Sequence, residues 1–245
     1  MADPIVAYLE RHLDDYLADL RTLVGIDSGS FDKAGVDAVT GWLADRLDAL
    51  GFAVERRRQE RFGDDLVARR AGPGRSRVLL LGHADTVCPQ GTAAARPLTA
   101  NGDKLLGPGT CDMKAGLLAG LYALRALDHA GWTGNGETTF LVVSDEEIGQ
   151  RHSVPLLEGE GRRHDAILTL EAARENGDVV TARKAVRWYS VEAAGRSAHA
   201  GVEPEKGRSA TLAIARFVDA AWALNGLREG ATVNPGEIAG GGSPS

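Results

Sequence analysis

Three short apolar segments, separated by stretches with helical periodicity, constrain the fold of this chain most. They cover residues 78–81, 138–143 and 166–170, and each is a compact run of mainly apolar residues. Between the first two, residues 113–130 are rich in Leu and Ala and predict a helix. Buried strands that alternate with helices are typical of an α/β fold, in which a mostly parallel sheet carries helices on both faces.

The residues before the first apolar segment predict further elements of the same domain. Apolar spacing and turn residues predict two helices, over 3–24 and 35–50, and two short strands, over 52–58 and 65–70. Asp3 and Pro4 suit the cap and first turn of the first helix, and Gly51 suits the end of the second.

The pattern changes after about residue 183. Residues 186–193 alternate like a half-exposed strand, 207–227 predict a helix, and 231–239 predict another strand. The sequence therefore predicts a first domain over residues 1–182 and part of a second, α+β domain over 183–245.

Composition narrows the functional classes. The 28 basic and 34 acidic residues leave a net charge of −6, which argues against nucleic acid as the main partner. Cys88 and Cys111 form no C-x-x-C motif and no disulfide framework. The sequence starts without a basic and apolar leader, and no apolar stretch is long enough to span a membrane. We therefore expect a cytoplasmic protein that has no membrane partner.

Potential metal ligands follow each of the three apolar segments. These side chains are His83, Asp85, Asp145, Glu146, Glu147 and Glu171, and Asp112 lies in a Gly- and Pro-rich loop before the helix at 113–130. Ligands of open α/β sheets bind at the carboxyl ends of the strands. One imidazole and several carboxylates suit Zn²⁺, Co²⁺ or Mn²⁺, and the number of candidates favours two metals bridged by one carboxylate.

The spacing within two of these groups suggests how they divide their roles. His83 and Asp85 are two residues apart in an extended segment, so they point to the same side, and Asp85 can orient the ring of His83. Of the neighbours Glu146 and Glu147, one can bind metal while the other accepts a proton from water.

Three motifs resemble those of the M20 metallopeptidase family. They are residues 80–87 (LLGHADTV), 107–116 (GPGTCDMKAG) and 144–149 (SDEEIG), in the family's order and at similar spacing. The family includes glutamate carboxypeptidase, acetylornithine deacetylase, succinyl-diaminopimelate desuccinylase and aminoacylase. The resemblance extends from about residue 5 to residue 242. It implies a dimetal hydrolase of the glutamate carboxypeptidase type, acting on C-terminal amino acid amides or N-acyl amino acids.

The resemblance also implies a role for each site residue. The metal ligands would be His83, Asp112, Glu147 and Glu171, with Asp112 bridging two Zn²⁺ ions and followed by a cis peptide. Asp85 would orient His83, and Glu146 would be the general base. A Glu at position 171 favours a carboxypeptidase or a deacylase over an aminopeptidase.

Residues 195–204 (GRSAHAGVEP) resemble the start of the family's lid or dimerisation domain. The resemblance implies that His199 stabilises the oxyanion in a partner's site, and hence a homodimer that acts on small peptides or N-acyl amino acids. No His follows His199, so the second metal would have Asp112 and Glu147 but no imidazole. The chain is therefore interpreted as truncated within the lid. The alternatives are a non-catalytic remnant that binds metal weakly and an N-acyl amino acid deacylase.

The remaining histidines stand in polar or helical contexts. They are His12, His129, His152 and His164. The sequence favours a surface position over metal binding for all four. His152 or His164 could supply the missing imidazole, but no motif supports that alternative.

Overall fold

The computed structural model describes residues 3–242. It divides the chain into two compact units, Met1–Gly177 and Asp178–Ser245. All the predicted strand-end ligands belong to the first unit.

The first unit is built from helices around a central sheet. Its helices are α1 (Pro4–Arg11), α2 (Leu13–Val24), α3 (Lys33–Ala49), α4 (Thr92–Ala95), α5 (Ala115–His129) and α6 (Val154–Arg163). Its strands are β1 (Ala53–Arg57), β2 (Asp65–Ala71), β3 (Ser76–His83), β4 (Thr99–Asn101), β5 (Lys104–Leu106), β6 (Asn135–Val143) and β7 (Ala166–Thr169). A π-helical turn, Thr110–Lys114, leads directly into α5, and a 3₁₀ turn, Glu146–Ile148, follows β6.

The central sheet has the strand order β1-β2-β6-β3-β7, while β4 and β5 form a separate antiparallel pair. Strand β3 pairs in parallel with both β6 and β7, and β2 is antiparallel to its neighbours β1 and β6. Only β2 therefore runs against the other four strands. The mostly parallel α/β sheet is confirmed, and the carboxyl ends of β6, β3 and β7 lie at one edge.

Side chains that alternate along the strands build apolar clusters on both faces of the sheet. Leu80 and Phe140 join the larger cluster, to which α2, α3 and α5 contribute. Leu79 and Leu141 face the other way and pack against Leu156 of α6 and its neighbour Leu157. Burying each such side chain contributes about 1.5–3 kcal/mol. The prediction of helices on both faces is confirmed.

The N-terminal helix differs from its prediction at one residue. The spacing predicts one helix over residues 3–24, but the backbone leaves the helical conformation at His12, which separates α1 from α2. The ring of His12 contacts the carboxylate of Asp15 at 2.8 Å. Apolar spacing continues across the break, so periodicity could not reveal it. The expected cap is present, since Asp3 Oδ1 accepts a hydrogen bond from the Ile5 amide at 2.8 Å.

The second unit contains a 3₁₀ turn, Pro204–Lys206, and helix α7 (Ala210–Trp222), which starts at the Ser209 cap. The predicted helix is present but shorter than residues 207–227. The strands predicted over 186–193 and 231–239 are wrong, because neither range is a strand in the described part of the chain. Alternation indicates a strand only where a second backbone pairs with it, and the one bridge described in this unit joins Arg196 to Arg208.

Within residues 3–242, none of the helices combines the length and the apolar character needed to cross a bilayer.

Candidate metal centre

The sheet itself brings the candidate ligands together. His83 is the last residue of β3, and Glu171 comes two residues after the end of β7, which pairs in parallel with β3. Glu146 and Glu147 follow β6, the other parallel neighbour of β3. Side chains far apart in sequence therefore meet at one edge of the sheet.

His83 stands at the centre of the group, and its side chain is 1% exposed. Its Nδ1 lies 3.0 Å from the backbone carbonyl oxygen of Asp85 and 3.3 Å from the Asp85 carboxylate. Its Nε2 lies 3.0 Å from Asp112 Oδ1 and 3.3 Å from Glu171 Oε1. The ring is thus held through Nδ1 and presents Nε2 to two carboxylates.

Asp112 is presented by the π-helical turn before α5. The Asp112–Met113 peptide bond is cis, as the family resemblance implies. Gly109 begins the turn with a φ of +64°, and its Cα approaches Thr86 so closely that a Cβ would lie 2.7 Å from Thr86 Cγ2. Ligand atoms of Asp112, His83 and Glu147 all lie within 4.8 Å of one another. The turn therefore brings Asp112 close to His83 at the end of β3 and to Glu147 after β6.

Asp85 connects the loop after β3 to the loop after β6. Its carboxylate is fully buried and accepts hydrogen bonds from the Ser30 hydroxyl at 2.7 Å and from the amides of Glu146 and Glu147, each at 3.1 Å. Burial alone would raise the pKa of Asp85, but the contacts with His83 and Ser30 outweigh burial and hold it below its usual value. Sequence reasoning missed Ser30, which is 55 positions away and belongs to no recognised spacing.

The charges around His83 make the site favourable for a cation. Burial opposes protonation of His83, but Asp85 and Glu171 reverse this effect and raise its pKa to about 11. Burial also raises the pKa of Glu146, and the charges of Glu171, Asp85 and Asp112 act in the same direction. The pKa of Glu147 is raised by burial and by Asp112.

A second residue that sequence reasoning missed is the charged Lys114, whose side chain is among the largest that are fully buried. Its Nζ donates to the carbonyl oxygen of Ile26 at 2.6 Å. Burial lowers the pKa of Lys114 to about 8. The contact ties the turn that carries Asp112 to the loop that follows α2.

The donor atoms fit a divalent metal. An imidazole nitrogen and carboxylates converge within 4.8 Å in the group His83, Asp112 and Glu147, and Glu171 reaches the same nitrogen. Such a set suits Zn²⁺, Co²⁺ or Mn²⁺. The concentration of negative charge that raises the pKa of His83 also stabilises a bound cation.

The remaining histidines divide into exposed and buried ones. His199, in the second unit, is exposed, and its Nδ1 accepts a hydrogen bond from the Gly201 amide at 3.1 Å. The surface prediction is wrong for His164, whose fully buried ring contacts Thr139 Oγ1 at 2.8 Å. It is also wrong for His152, whose side chain is 16% exposed and lies between carboxylates.

A cleft of about 630 Å³ opens beside Glu147. Its lining combines the apolar side chains of Phe31, Val87 and Ile148 with the polar groups of Ser30 and Thr86. Phe31 and Val87 are 67% and 75% exposed, so a bound molecule could cover apolar surface next to the ligand cluster.

Comparisons with known proteins show what the chain is similar to. Residues 79–242 match the model of peptidase family M20/M25/M40. The chain is 32% identical over 202 residues to carboxypeptidase G2 of Pseudomonas sp. (strain RS-16), covering 81% of this chain and 49% of that protein. It is 30% identical over 198 residues to N-acetyl-L-citrulline deacetylase of Xanthomonas campestris pv. campestris, covering 79% and 50% respectively. The chain thus spans about half the length of the curated relatives that it matches.

Solved structures share the fold. A tripeptidase from Staphylococcus aureus superposes with a TM-score of 0.65 at 23% identity, over 94% of this chain and 61% of that one. Human carnosine dipeptidase 1 gives a TM-score of 0.61 at 23% identity, over 70% and 41%. With the family match over residues 79–242, these likenesses lead to one conclusion: the chain belongs to peptidase family M20/M25/M40.

Proposed function

We propose that this chain carries the metal centre of an amide-bond hydrolase, a carboxypeptidase of the glutamate carboxypeptidase type. The observation that carries the proposal is the position of His83 Nε2, 3.0 Å from Asp112 and 3.3 Å from Glu171, in a cluster that includes Glu147. Family membership supports a hydrolase, and the similarity to carboxypeptidase G2 supports the finer assignment.

In this proposal His83, Asp112, Glu147 and Glu171 would hold two Zn²⁺ ions. Bound Zn²⁺ supplies Lewis-acid chemistry, which polarises a carbonyl and makes water more acidic. Asp85 positions His83 as well as the pair Glu146 and Glu147. Its carboxylate contacts His83 Nδ1 and accepts hydrogen bonds from the backbone amides of Glu146 and Glu147. Zn²⁺ is preferred for its affinity for mixed imidazole and carboxylate ligands, and Co²⁺ or Mn²⁺ would fit the same donors.

Glu146 is the proposed general base. Its carboxylate takes a proton from the attacking water and later returns it to the nitrogen of the leaving amine. Burial and the neighbouring carboxylates raise its pKa, which brings its proton affinity closer to that needed for transfer near neutral pH. Asp85 holds the Glu146 amide at 3.1 Å and so limits the movement of the base.

The proposed substrates are small peptides with a C-terminal amino acid amide, or N-acyl amino acids. The apolar wall of the cleft, formed by Phe31, Val87 and Ile148, offers contact for the side chain or acyl group next to the scissile bond. An N-acyl amino acid deacylase is the alternative, and the similarity to N-acetyl-L-citrulline deacetylase favours it.

We further propose that residues 1–182, which include the whole first unit, form the catalytic domain, and that residues 183–245 are part of a lid and dimerisation domain. Exposed aromatic side chains in the second unit, Trp188 at 87% and Tyr189 at 86%, support burial against a second copy. In that homodimer His199 would stabilise the oxyanion of the partner's reaction. The free thiols of Cys88 and Cys111 support a reducing, cytoplasmic setting.

The test combines metal content with hydrolysis. The purified chain is dialysed against trace Zn²⁺, analysed for bound metal, and assayed on C-terminal glutamate amides and N-acyl amino acids. We expect the wild-type chain to bind Zn²⁺ and to hydrolyse a substrate. His83→Ala should lose the bound Zn²⁺, whereas Glu146→Gln should keep the Zn²⁺ and lose hydrolysis. Zn²⁺ binding without hydrolysis would favour a non-catalytic remnant, and the absence of Zn²⁺ binding would refute the proposed centre.

A further inference from the structure

We propose that His152 is a positioning residue for the metal centre. Its imidazole bridges two buried carboxylates, Asp145 and Asp65, and so fixes the turn that carries Glu146 and Glu147. The inference rests on the proposed function, because the consequence of this positioning is measured at the Glu147 metal site.

The three side chains form a group separate from the ligands around His83. Asp65 and Asp145 are 1% and 0% exposed. His152 Nδ1 lies 2.9 Å from Asp145 Oδ2, and His152 Nε2 lies 3.3 Å from the Ser144 hydroxyl and 3.6 Å from Asp65 Oδ1. Buried carboxylates are costly unless they are paired, and His152 lies next to both of them.

The same groups close the turn that follows β6. Asp145 Oδ2 accepts the His152 amide at 2.8 Å, and the Asp145 carbonyl oxygen accepts the Gln150 amide at 2.8 Å. Asp65 Oδ1 accepts the amide and hydroxyl of Ser144 at 3.1 and 2.9 Å. Glu146 and Glu147 lie inside the segment that these contacts close, and their amides donate to Asp85.

The arrangement fits a bridge better than a second metal site. A metal ion binds one nitrogen of an imidazole, whereas here the two ring nitrogens face different carboxylates. Phe62 stacks on the ring with a centroid distance of 5.0 Å and an interplanar angle of 8°, which restricts its rotation. Within the described residues, neither Asp145 Oδ1 nor His152 Nδ1 has a hydrogen-bond partner, so the 2.9 Å approach of the ring to Asp145 Oδ2 is a charge contact, and the hydrogen bond to that oxygen comes from the His152 amide.

The experiment compares three variants of the full chain. His152→Leu removes both ring nitrogens, and His152→Asn keeps a donor near the Nδ1 position that faces Asp145. His164→Leu is the matched control, because His164 is also a buried histidine but contacts Glu160 and Thr139. Zn²⁺ affinity is measured by competition with a chromophoric chelator, and deuterium uptake of residues 144–152 is measured without metal.

We expect His152→Leu to weaken Zn²⁺ binding about 10-fold or more, in line with the loss of outer-shell partners at metal sites, and to increase deuterium uptake in residues 144–152. His152→Asn should recover part of both effects. His164→Leu should lower the melting temperature without changing either. Recovery by Asn separates positioning from a general loss of packing.

Unchanged deuterium uptake in both His152 variants would overturn the proposal. A second result would also overturn it: one Zn²⁺ remains bound in His83→Ala and is lost when His152 is substituted as well. Asp65, Asp145 and His152 would then form a metal site. If the wild-type chain binds no Zn²⁺, the proposed function fails, and deuterium uptake alone decides whether His152 fixes the turn.

Discussion

Asp85 shows at the residue scale how one buried carboxylate can organise several loops. It contacts His83 and accepts hydrogen bonds from Ser30, Glu146 and Glu147. Its position two residues after His83 predicts the first contact, because alternate residues of an extended segment share a side. The other three depend on loops that approach from elsewhere, and no local spacing predicts them.

Asp85→Asn tests this role. An amide presents a donor where the carboxylate accepts, so at least one of the surrounding donors loses its partner. We expect the free energy of unfolding to fall by about 1–3 kcal/mol in urea titrations. Zn²⁺ affinity should fall about 10–100-fold. Asp103→Asn, on an exposed turn, is the control and should change neither quantity. Equal Zn²⁺ affinity in Asp85→Asn and the wild type would contradict the role.

Asp64 allows a pH-dependence prediction away from the metal centre. It accepts Lys33 Nζ at 2.6 Å and the Gln59 amide at 3.1 Å. Burial alone would raise the pKa of Asp64, but the contacts with Lys33, the Gln59 amide and Arg56 together outweigh burial and lower the pKa below its usual value. A lowered folded-state pKa means that the stabilisation is present above the ordinary aspartate pKa of about 3.9 and is lost as the pH falls through the folded-state value.

We therefore expect the wild type to exceed Asp64→Asn in unfolding free energy by about 1 kcal/mol at pH 7, since Lys33 is partly exposed and solvent weakens the pair. The difference should shrink steadily below about pH 4. Urea titrations between pH 7 and pH 3 measure it. If the difference in unfolding free energy between the wild type and Asp64→Asn grew as the pH fell, the predicted direction of the pH dependence would be wrong.

At the element scale, the contact between α5 and the end of β7 sets the position of Glu171. A Cβ on Gly116 would lie 1.8 Å from the carbonyl oxygen of Leu170, the residue before Glu171. The Leu170 amide donates to the Leu81 carbonyl oxygen at 2.8 Å, which ties this segment to β3. The first turn of α5 can approach so closely only because residue 116 has no side chain.

Gly116→Ala should therefore push the two elements apart and displace Glu171. We expect a loss of about 1–3 kcal/mol in unfolding free energy, typical of overpacking, together with weaker Zn²⁺ binding. Gly159→Ala is the matched control, because Gly159 is within α6 and a Cβ there would meet no atom within 4 Å. That control should be neutral or stabilising by up to about 1 kcal/mol. Similar Zn²⁺ affinity in both variants would contradict the role of the α5 contact.

Helices and strands could be predicted where the apolar spacing within one segment determines them. The apolar strands and the amphipathic helices of the first unit are present because each buries a face that its own spacing defines. The break at His12 was missed because apolar spacing continues through it. The strands expected over 186–193 and 231–239 failed because a strand needs a partner backbone, which a single-segment pattern cannot report.

At the scale of the whole molecule, the candidate ligands all belong to the unit Met1–Gly177. The residues that link it to the second unit, 172–185, are exposed and contain no helix or strand in the described structure. We expect trypsin to cleave first in this range, after Arg174, Arg183 or Lys184, because proteases prefer exposed segments outside helices and strands.

The N-terminal product should bind Zn²⁺ as tightly as the intact chain, because it retains His83, Asp112, Glu147 and Glu171. Mass spectrometry identifies the first cleavage, and chelator competition measures the affinity of the purified product. The prediction fails if the first cleavage falls within the sheet, or if the product no longer binds Zn²⁺.

The sequence by itself determined the strands β3, β6 and β7 and the potential metal ligands at or just after their ends. Both are local features, because a buried strand is a short run of apolar residues and its end is marked by the polar residues that come next. Family resemblance added the cis peptide after Asp112, which is present. Only the tertiary structure decided that Ser30 binds Asp85 and that His152 lies between Asp65 and Asp145. Ser30 and Asp85 are 55 positions apart, and Asp65 comes from a different part of the chain than His152. Both contacts therefore depend on how loops meet in space and not on any spacing within one segment.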